Sequence, residues 1–396
     1  MNLPQALHAR SCLCALLALI GFVATDLCAT SAQGGFVGVS EGRFIHDGRR
    51  FDIAGVNNHY LTFGSAAEVT RVLDDAVALR ANVVRTFIQP VIGSLDGRSV
   101  PTIWDWKRQA DASNLGVDGA YMLYWDVPRR EMGINDGADG LQRLDFVLAE
   151  AAKRDLKLII AFLDFWAYTG GAQQMRAWYG SDERSTFFFA DPRTKQNYKD
   201  WIRHVLDRVN TITGVRYKDD PVILAWELMN EPEIRPPSLR DSWLAEMASY
   251  VKSLDPRHLL ASGRANVRER LADIGIAEFD FGVWHGYPRH ANLAPTQLEA
   301  LIDAFCEIGR MHRKPVVLEE FGFARSNPDQ AEVYRSWLQA VHRNPACGGW
   351  LVWRLVSRQD SGRFPDDPHD QFDIHNDGGD TWNVLKEAAV ALRARP

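Results

Sequence analysis

Two short runs of this sequence break off in acids. Pro221-Val222-Ile223-Leu224-Ala225-Trp226-Glu227-Leu228-Met229-Asn230-Glu231-Pro232 is largely apolar until it stops at Asn-Glu-Pro, and Pro315-Val316-Val317-Leu318-Glu319-Glu320-Phe321-Gly322 repeats the design. A buried strand that ends this way delivers a carboxylate to its C-terminal tip, where proline halts further regular pairing. Two such carboxylates could hydrolyse a glycoside, one protonating the leaving oxygen and the other attacking the sugar or activating water. Each run also holds a rival. Glu227 shares the parity of Glu231 on a regular strand but lies deeper. Glu319 and Glu320 are adjacent, so on a regular strand only one of them faces the interior, and parity alone does not say which.

Strand tips meet only if a frame closes around them. Buried-strand patterns fall near 53–57, 82–88, 157–163, 222–228, 257–261, 280–284, 315–319 and 348–353. Amphipathic helical patterns lie between them, near 66–80, 141–154, 193–211, 238–254, 296–312 and 329–343, with a last one at 382–393 and a fifth, weakly marked helix expected around 265–274. Eight strands interleaved with helices along one chain predict a (β/α)8 barrel. A doubly wound sheet would carry a glycine-rich phosphate loop after its first strand, and Gly55-Val56-Asn57-Asn58-His59 has none. Phe36 to Phe51 alternates and turns at His46-Asp47-Gly48, which predicts a short hairpin at the barrel floor. No repeat, low-complexity tract or linker divides the chain, so a single catalytic domain is expected over 33–396.

The 396 residues are 46% apolar and 24% charged, with a formal charge of −6 and a pI near 6.0. That balance describes a soluble globular chain and gives no basic face for nucleic acid or anionic membrane. Residues 1–32 read as a signal peptide: His8 and Arg10 precede an apolar stretch from Leu13 to Val23, and Thr30-Ser31-Ala32 supplies the small residues of a cleavage site. That stretch is too short to span a bilayer, which takes roughly 20 residues, and Thr25-Asp26-Leu27 is a poor approach to a lipid-modified Cys28. A secreted or periplasmic protein follows. Cys12, Cys14 and Cys28 would leave with the signal, so only Cys306 and Cys347 remain. Whether they are bridged or are two buried thiols is left open. No cysteine or histidine spacing resembles a zinc site, and no cofactor is expected.

Trp226 to Pro232 together with Glu320-Phe321-Gly322 resembles glycoside hydrolase family 5, and most of all its endo-β-1,4-mannanase branch. Mannanase-like patterns also run through Phe36 to Tyr60, Asn82 to Phe87 and Trp178 to Asp219, so the likeness spans most of the mature chain. The resemblance implies that Glu231 is the general acid/base and Glu320, the acid before the aromatic-glycine pair, the nucleophile. Glu319 would then be a structural acid facing the helices. The pKa of Glu231 is expected to be raised by burial or by its neighbouring carboxylate, as suits a group that must both give and take a proton. By the same likeness Arg85 holds the nucleophile ionised, Asn230 bonds the sugar 2-hydroxyl, Tyr287 donates to the nucleophile and His285 sits in the network beside the acid/base. Trp353 would floor the site, with Trp350 in the core and Trp166 as a further platform.

Taken one at a time, these residues have plainer readings: an arginine in an apolar strand can serve a structural ion pair, and a histidine is often a satisfied core group. The excursion 89–140 carries Trp104, Trp106, Tyr121, Tyr124 and Trp125, rings that suit sugar faces or simply pack the loop; Trp125 is carried as a substrate-binding candidate. Asp366-Asp367-Pro368-His369-Asp370 is expected to be a solvated acidic loop. The chain departs from the family at Leu163-Asp164-Phe165-Trp166-Ala167-Tyr168, where Asp164 stands in place of a histidine or asparagine. The expected activity is a retaining, metal-free glycoside hydrolase, a monomer acting on β-1,4-mannan or a similar polysaccharide or oligosaccharide. The rivals are the same chemistry on β-1,4-glucan, transfer to a second sugar, and a barrel that binds glycan without cutting it.

Overall fold

A computed structural model describes residues 35–104, 119–365 and 370–396. The N-terminal segment with its three cysteines, Trp106, and Asp366 to His369 lie outside these described residues.

Eight barrel strands run Ile53–Asn57, Val83–Phe87, Lys157–Ala161, Ile223–Glu227, Leu259–Ala261, Gly282–Gly286, Val316–Phe321 and Cys347–Val352. Neighbours pair in parallel in the order fifth, fourth, third, second, first, eighth, seventh, sixth. Backbone bonds from Asp280 to Leu260 (2.9 Å) and from His285 to Ala265 (2.8 Å) draw the sixth strand towards the fifth and nearly close the ring. This is the (β/α)8 barrel the alternating pattern predicts, and the strands lie within a few residues of the positions read from the sequence. Helices at Ala66–Ala78, Gln142–Ala152, Pro192–Asp207, Pro237–Leu254, Pro295–His312, Gln330–Arg343 and Asp380–Arg393 surround it.

Side chains at alternate positions divide two apolar layers. Outward residues such as Val84, Leu158, Trp226, Leu318 and Trp350 join the helices in one core. Inward residues such as Ile53, Val83, Ile159, Ala225, Val283, Val317 and Leu351 fill the cylinder. Its floor is sealed by a three-stranded meander, Gly38–Ser40, Arg43–His46 and Arg49–Arg50, whose Phe44 meets Phe281 edge-on at 5.3 Å. Higher up, the same inward rows turn polar: Asn57 follows Ile53, Arg85 follows Val83, Glu227 follows Ala225, His285 follows Val283 and Glu319 follows Val317. The barrel is therefore greasy at its base and ionic at the C-terminal rim, where barrel enzymes carry their chemistry.

Two features differ from the expectation. Residues 265–274 form turns, not a helix. Asn266, Arg270 and Leu271 adopt positive φ, which breaks a right-handed helix, and the Asn266 amide ties the segment to the sixth strand by donating to the Val283 carbonyl (3.0 Å). The excursion after the second strand folds as a small sheet of Val91–Ser94, Leu123–Asp126 and Glu131–Ile134. Cys306, on the helix Pro295–His312, is disulfide-bonded to Cys347 at the start of the eighth strand, which resolves the pairing the sequence left open.

Candidate active site

Arg85 is fully buried and sits at the centre. Its Nη1 donates to Glu320 Oε1 (2.5 Å) and Asn57 Oδ1 (3.1 Å), its Nη2 to Asn230 Oδ1 (2.9 Å), and its Nε to both oxygens of Glu227 (3.0 Å each). Only a planar guanidinium can serve so many acceptors at once; a lysine would be a single point charge.

The second oxygen of Glu320 accepts from the Tyr287 hydroxyl at 2.6 Å. Glu231 ends the fourth-strand run at φ +47°, a left-handed conformation that non-glycine residues seldom adopt, and its N–H is held by the Gly263 carbonyl (2.8 Å). The sharp turn sends its carboxyl to the Trp166 indole N–H (2.8 Å, on Oε2) and to His285 Nδ1 (2.6 Å, on Oε1). Gly263 is needed for this approach: it has φ +73°, and a Cβ there would lie 2.1 Å from the Met229 carbonyl oxygen. One ligand atom each from Glu231, His285 and Glu320 lie within 4.8 Å of one another. A cation could in principle use those atoms, but it would face the Arg85 guanidinium 2.5 Å from Glu320, and Trp166 and Tyr287 already donate to the two carboxylates.

The sequence places Glu319 towards the helices, and the structure corrects this. Glu319 is fully enclosed inside the barrel, 3.3 Å from His285 Nε2 and 3.7 Å from Arg85 Nε. The cause is a bulge: Leu318 pairs with Trp284 and Glu320 pairs with His285, leaving Glu319 as the extra residue. Glu319 keeps the inward parity of Val317, and the bulge brings Glu320 inward as well, so both neighbours face the axis.

The expectation of a raised pKa at Glu231 is also corrected. Burial pushes it up, but the His285 hydrogen bond and charge, the Trp166 donor and the more distant Arg85 outweigh that and hold it below the usual glutamate value. His285 responds in kind: burial pulls it down, but Glu320, Glu231 and Glu319 push it up to about 10. The proton on the 2.6 Å link therefore rests on the imidazole. Glu320 is raised, because burial and the nearby Glu231 exceed the pull of His285, Arg85 and Tyr287. Asp164 is raised to about 7 by burial, with Glu231 and Glu320 adding to it against hydrogen bonds from Asn230 and the Trp166 N–H.

A cavity of about 570 Å³ opens above these groups, lined by Glu231, Glu320, Asn230, Asp164, Tyr287 and Trp353 among others. Trp353 lies near-parallel to Phe87 (6.1 Å, 20°), and Trp350 is core. Trp166 lines the cavity but acts also as a donor to Glu231, a role the sequence did not suggest. Trp125, the other ring expected to meet sugar, packs on Trp178 (6.0 Å) and Tyr179 (5.4 Å) and does not line this cavity. Sequence reading also passed over His59, Gln89 and Phe372, which line the cavity; the polar run Asn57-Asn58-His59 after an apolar strand was the available signal. A second cavity of about 360 Å³, walled by 232–235 and 264–269, shares Trp166, Glu231, Tyr287 and His290 with the first, so the groove passes on both sides of Glu231.

Residues 132–275 match the family model described as GH family 5 beta-mannosidase-like. The chain is 32% identical over 391 residues to mannan endo-1,4-beta-mannosidase 1 of Solanum lycopersicum, covering 88% of this chain and 89% of that one. It is 31% identical over 376 residues to putative mannan endo-1,4-beta-mannosidase 9 of Oryza sativa subsp. japonica, with 83% of each covered. The endo-1,4-beta-mannanase of Rhizomucor miehei superposes with a TM-score of 0.77 at 26% identity, over 91% of this chain and 100% of that one.

Proposed function

This chain belongs to the β-mannosidase-like members of glycoside hydrolase family 5 and is a glycoside hydrolase, and from that premise we propose that it cleaves β-1,4-mannosidic bonds within mannan-type polysaccharides with retention. The relatives in tomato and rice bear the names of mannan endo-mannosidases, which supports the substrate. The observation that carries the mechanism is the spacing of the acids. An oxygen of Glu231 and one of Glu320 lie within 4.8 Å, in keeping with the ~5–5.5 Å between carboxyls that direct attack requires and short of the ~6.5–9.5 Å that leaves room for an inverting water.

In the first step a Glu320 oxygen bonds to the anomeric carbon as the glycosidic C–O bond breaks, and the departing oxygen takes the proton carried by Glu231. That proton comes from the 2.6 Å link to His285: when sugar replaces water at the partly exposed Glu231, the proton passes from Nδ1 to the carboxyl and leaves a neutral imidazole. In that transfer Glu320 loses the attraction of the His285 charge together with the repulsion of Glu231, and it is held ionised by the Arg85 guanidinium (2.5 Å) and the Tyr287 hydroxyl (2.6 Å). In the second step Glu231 takes a proton from water, the hydroxide oxygen bonds to the anomeric carbon, and Glu320 leaves. Asn230, tied at both ends to Arg85 and Asp164, presents its remaining N–H to the sugar 2-hydroxyl.

The groove on both sides of Glu231 supports endo action, and we take the enzyme to act as a monomer. The signal-like N-terminus and the Cys306–Cys347 bridge support export to an oxidising compartment. The direct test is Glu231→Gln, assayed for new reducing ends on galactomannan beside a soluble cellulose derivative. Wild type should cut the first and spare the second. The variant should fold normally and lose activity by orders of magnitude, most severely where the leaving group is poor. Wild-type rates in the variant would refute the assignment.

A further inference from the structure

Below Glu231 and Glu320 lies a second pair of acids, Glu227 and Glu319, that the proposed reaction does not touch. Both are fully enclosed. Glu227 accepts from Arg85 Nε through both oxygens, and its Oε2 also lies 2.9 Å from Arg85 Nη2. Glu319 Oε2 faces His285 Nε2 and, at a longer distance, Arg85. Glu319 Oε1 is different: among the described residues no N–H or O–H reaches it, and it has no water-accessible surface. The side chain of Asn57, the nearest polar group from the first strand, is spent on the Glu319 backbone carbonyl (2.8 Å). An enclosed carboxylate oxygen without a donor is strongly unfavourable, and two enclosed carboxylates side by side more so.

Both carboxyls converge on Arg85 Nε, Glu227 at 3.0 Å and Glu319 at 3.7 Å, which brings the two acids together. A proton on Glu227 would supply the missing donor and turn a repulsion into a bond. The charge inventory asks for the same thing, because two cations, Arg85 and the protonated His285, face four carboxyls, Glu227, Glu319, Glu320 and Glu231. We propose that Glu227 and Glu319 hold one proton between them, and that this singly charged pair is a positioning device that leaves the Arg85 charge to Glu320 and keeps His285 aligned for Glu231. The idea rests on the roles given above to Glu231 and Glu320. The two acids are also pushed apart in the manner of an unequal pair sharing a proton. Burial and the neighbouring Glu319 raise Glu227 far above the usual value, while Arg85, the Glu227 bond and His285 hold Glu319 below it despite its burial.

The test uses Glu227→Gln, Glu319→Gln and the double variant in the full mature chain. Glutamine can donate where the acid did, and the remaining glutamate then ionises, so each single variant keeps one donor and one negative charge. Each should lower kcat/KM by no more than about tenfold and leave both limbs of its pH profile in place; the double variant, with an uncharged pair, should lose more than about a hundredfold and move both limbs to lower pH. With Asp164, itself part-protonated at neutral pH, replaced by asparagine, an infrared carboxylic-acid C=O band should be present at neutral pH and should vanish when either single substitution is added. A band that survives both substitutions, or single variants whose limbs already move down as removal of one of two charges requires, would overturn the proposal. If the Glu227 and Glu319 variants do not fold, the Asp164→Asn spectrum decides: no protonated-carboxyl band there at neutral pH overturns the shared proton. An active Glu231→Gln enzyme would sink the reaction scheme instead and leave the infrared result untouched.

Discussion

Replacing Trp166 by phenylalanine isolates one hydrogen bond from everything else that side chain does. The indole N–H donates to Glu231 Oε2 at 2.8 Å, while its ring lines the groove and lies beneath the Arg184 guanidinium at 4.9 Å. Phenylalanine keeps an aromatic face and loses the donor. A hydrogen bond to a charged acceptor contributes about 1.5–3 kcal/mol. The Glu231 side chain is 22% exposed, so water replaces part of the loss and the lower end applies. About 1.5 kcal/mol corresponds to about one pH unit in the acid's ionisation. The sign follows from the form that loses support: the indole stabilises the carboxylate, so its removal lets Glu231 hold its proton to higher pH. The first step needs the proton that Glu231 shares with His285, and the alkaline limb of kcat/KM marks its loss; with the carboxylate less well supported that proton is harder to remove, so the limb should move up, by up to about one unit, while the acid limb, set by Glu320, stays. Manno-oligosaccharides with an unactivated leaving sugar are the substrate of choice, since their cleavage depends most on protonation. An alkaline limb that stays in place or moves down would show that this contact does not tune the acid.

Three further outcomes follow from the same geometry. Arg85→Lys keeps the charge but not the fork, leaving acceptors on Glu227, Asn230 and Asn57 unserved; unfolding by denaturant should show about 3–5 kcal/mol lost, and kcat should fall with it. Asp164 has a folded pKa of about 7 against 3.8, so its stabilising contribution is complete below about pH 4 and declines as pH rises through 7, by about 4 kcal/mol at most. Asp164→Asn should remove that decline, and unfolding free energies for the two proteins that run parallel from pH 4 to 8 would contradict it. The Cys306–Cys347 bridge closes 41 residues; reduction, or Cys306→Ser with Cys347→Ser, should lower stability by up to about 4 kcal/mol, read as a fall in Tm.

The strands were legible because each inner or outer wall of a barrel is written as a continuous apolar run with an abrupt polar end, as at Glu227 to Pro232 and Glu319 to Gly322. Arg85, Asn230, His285 and Tyr287 were found through resemblance, and they converge because their strands do. Three things lay beyond the sequence for physical reasons. Strand parity assumes regular pairing, and the bulge at Glu319 is a property of the sixth and seventh strands together. The turns at 265–274 depend on Asn266 meeting Val283 on the neighbouring sixth strand. The lowered pKa of Glu231 depends on a histidine 54 residues away and 2.6 Å distant. In each case the missing information is a contact between segments far apart in the chain.

Those contacts also set the charge with which the site waits for substrate. Arg85 contributes one positive charge and Glu320 one negative; Glu231 and His285 share a proton and cancel, whichever of them carries it. The remaining term is the Glu227–Glu319 pair. Doubly ionised, it would leave the enclosed groups at two net negative charges, and uncharged at none; with one shared proton the total is a single negative charge. A mannan chain is neutral and alters none of these values on binding, but the transition state of glycoside cleavage carries one developing positive charge on the sugar. A fixed, water-free environment favours that state over the bound substrate in proportion to the charge it holds ready. The buried pair beneath the reacting acids thus does for the transition state what neither of the reacting acids can do for itself, since their own charges change during the reaction and its charge does not.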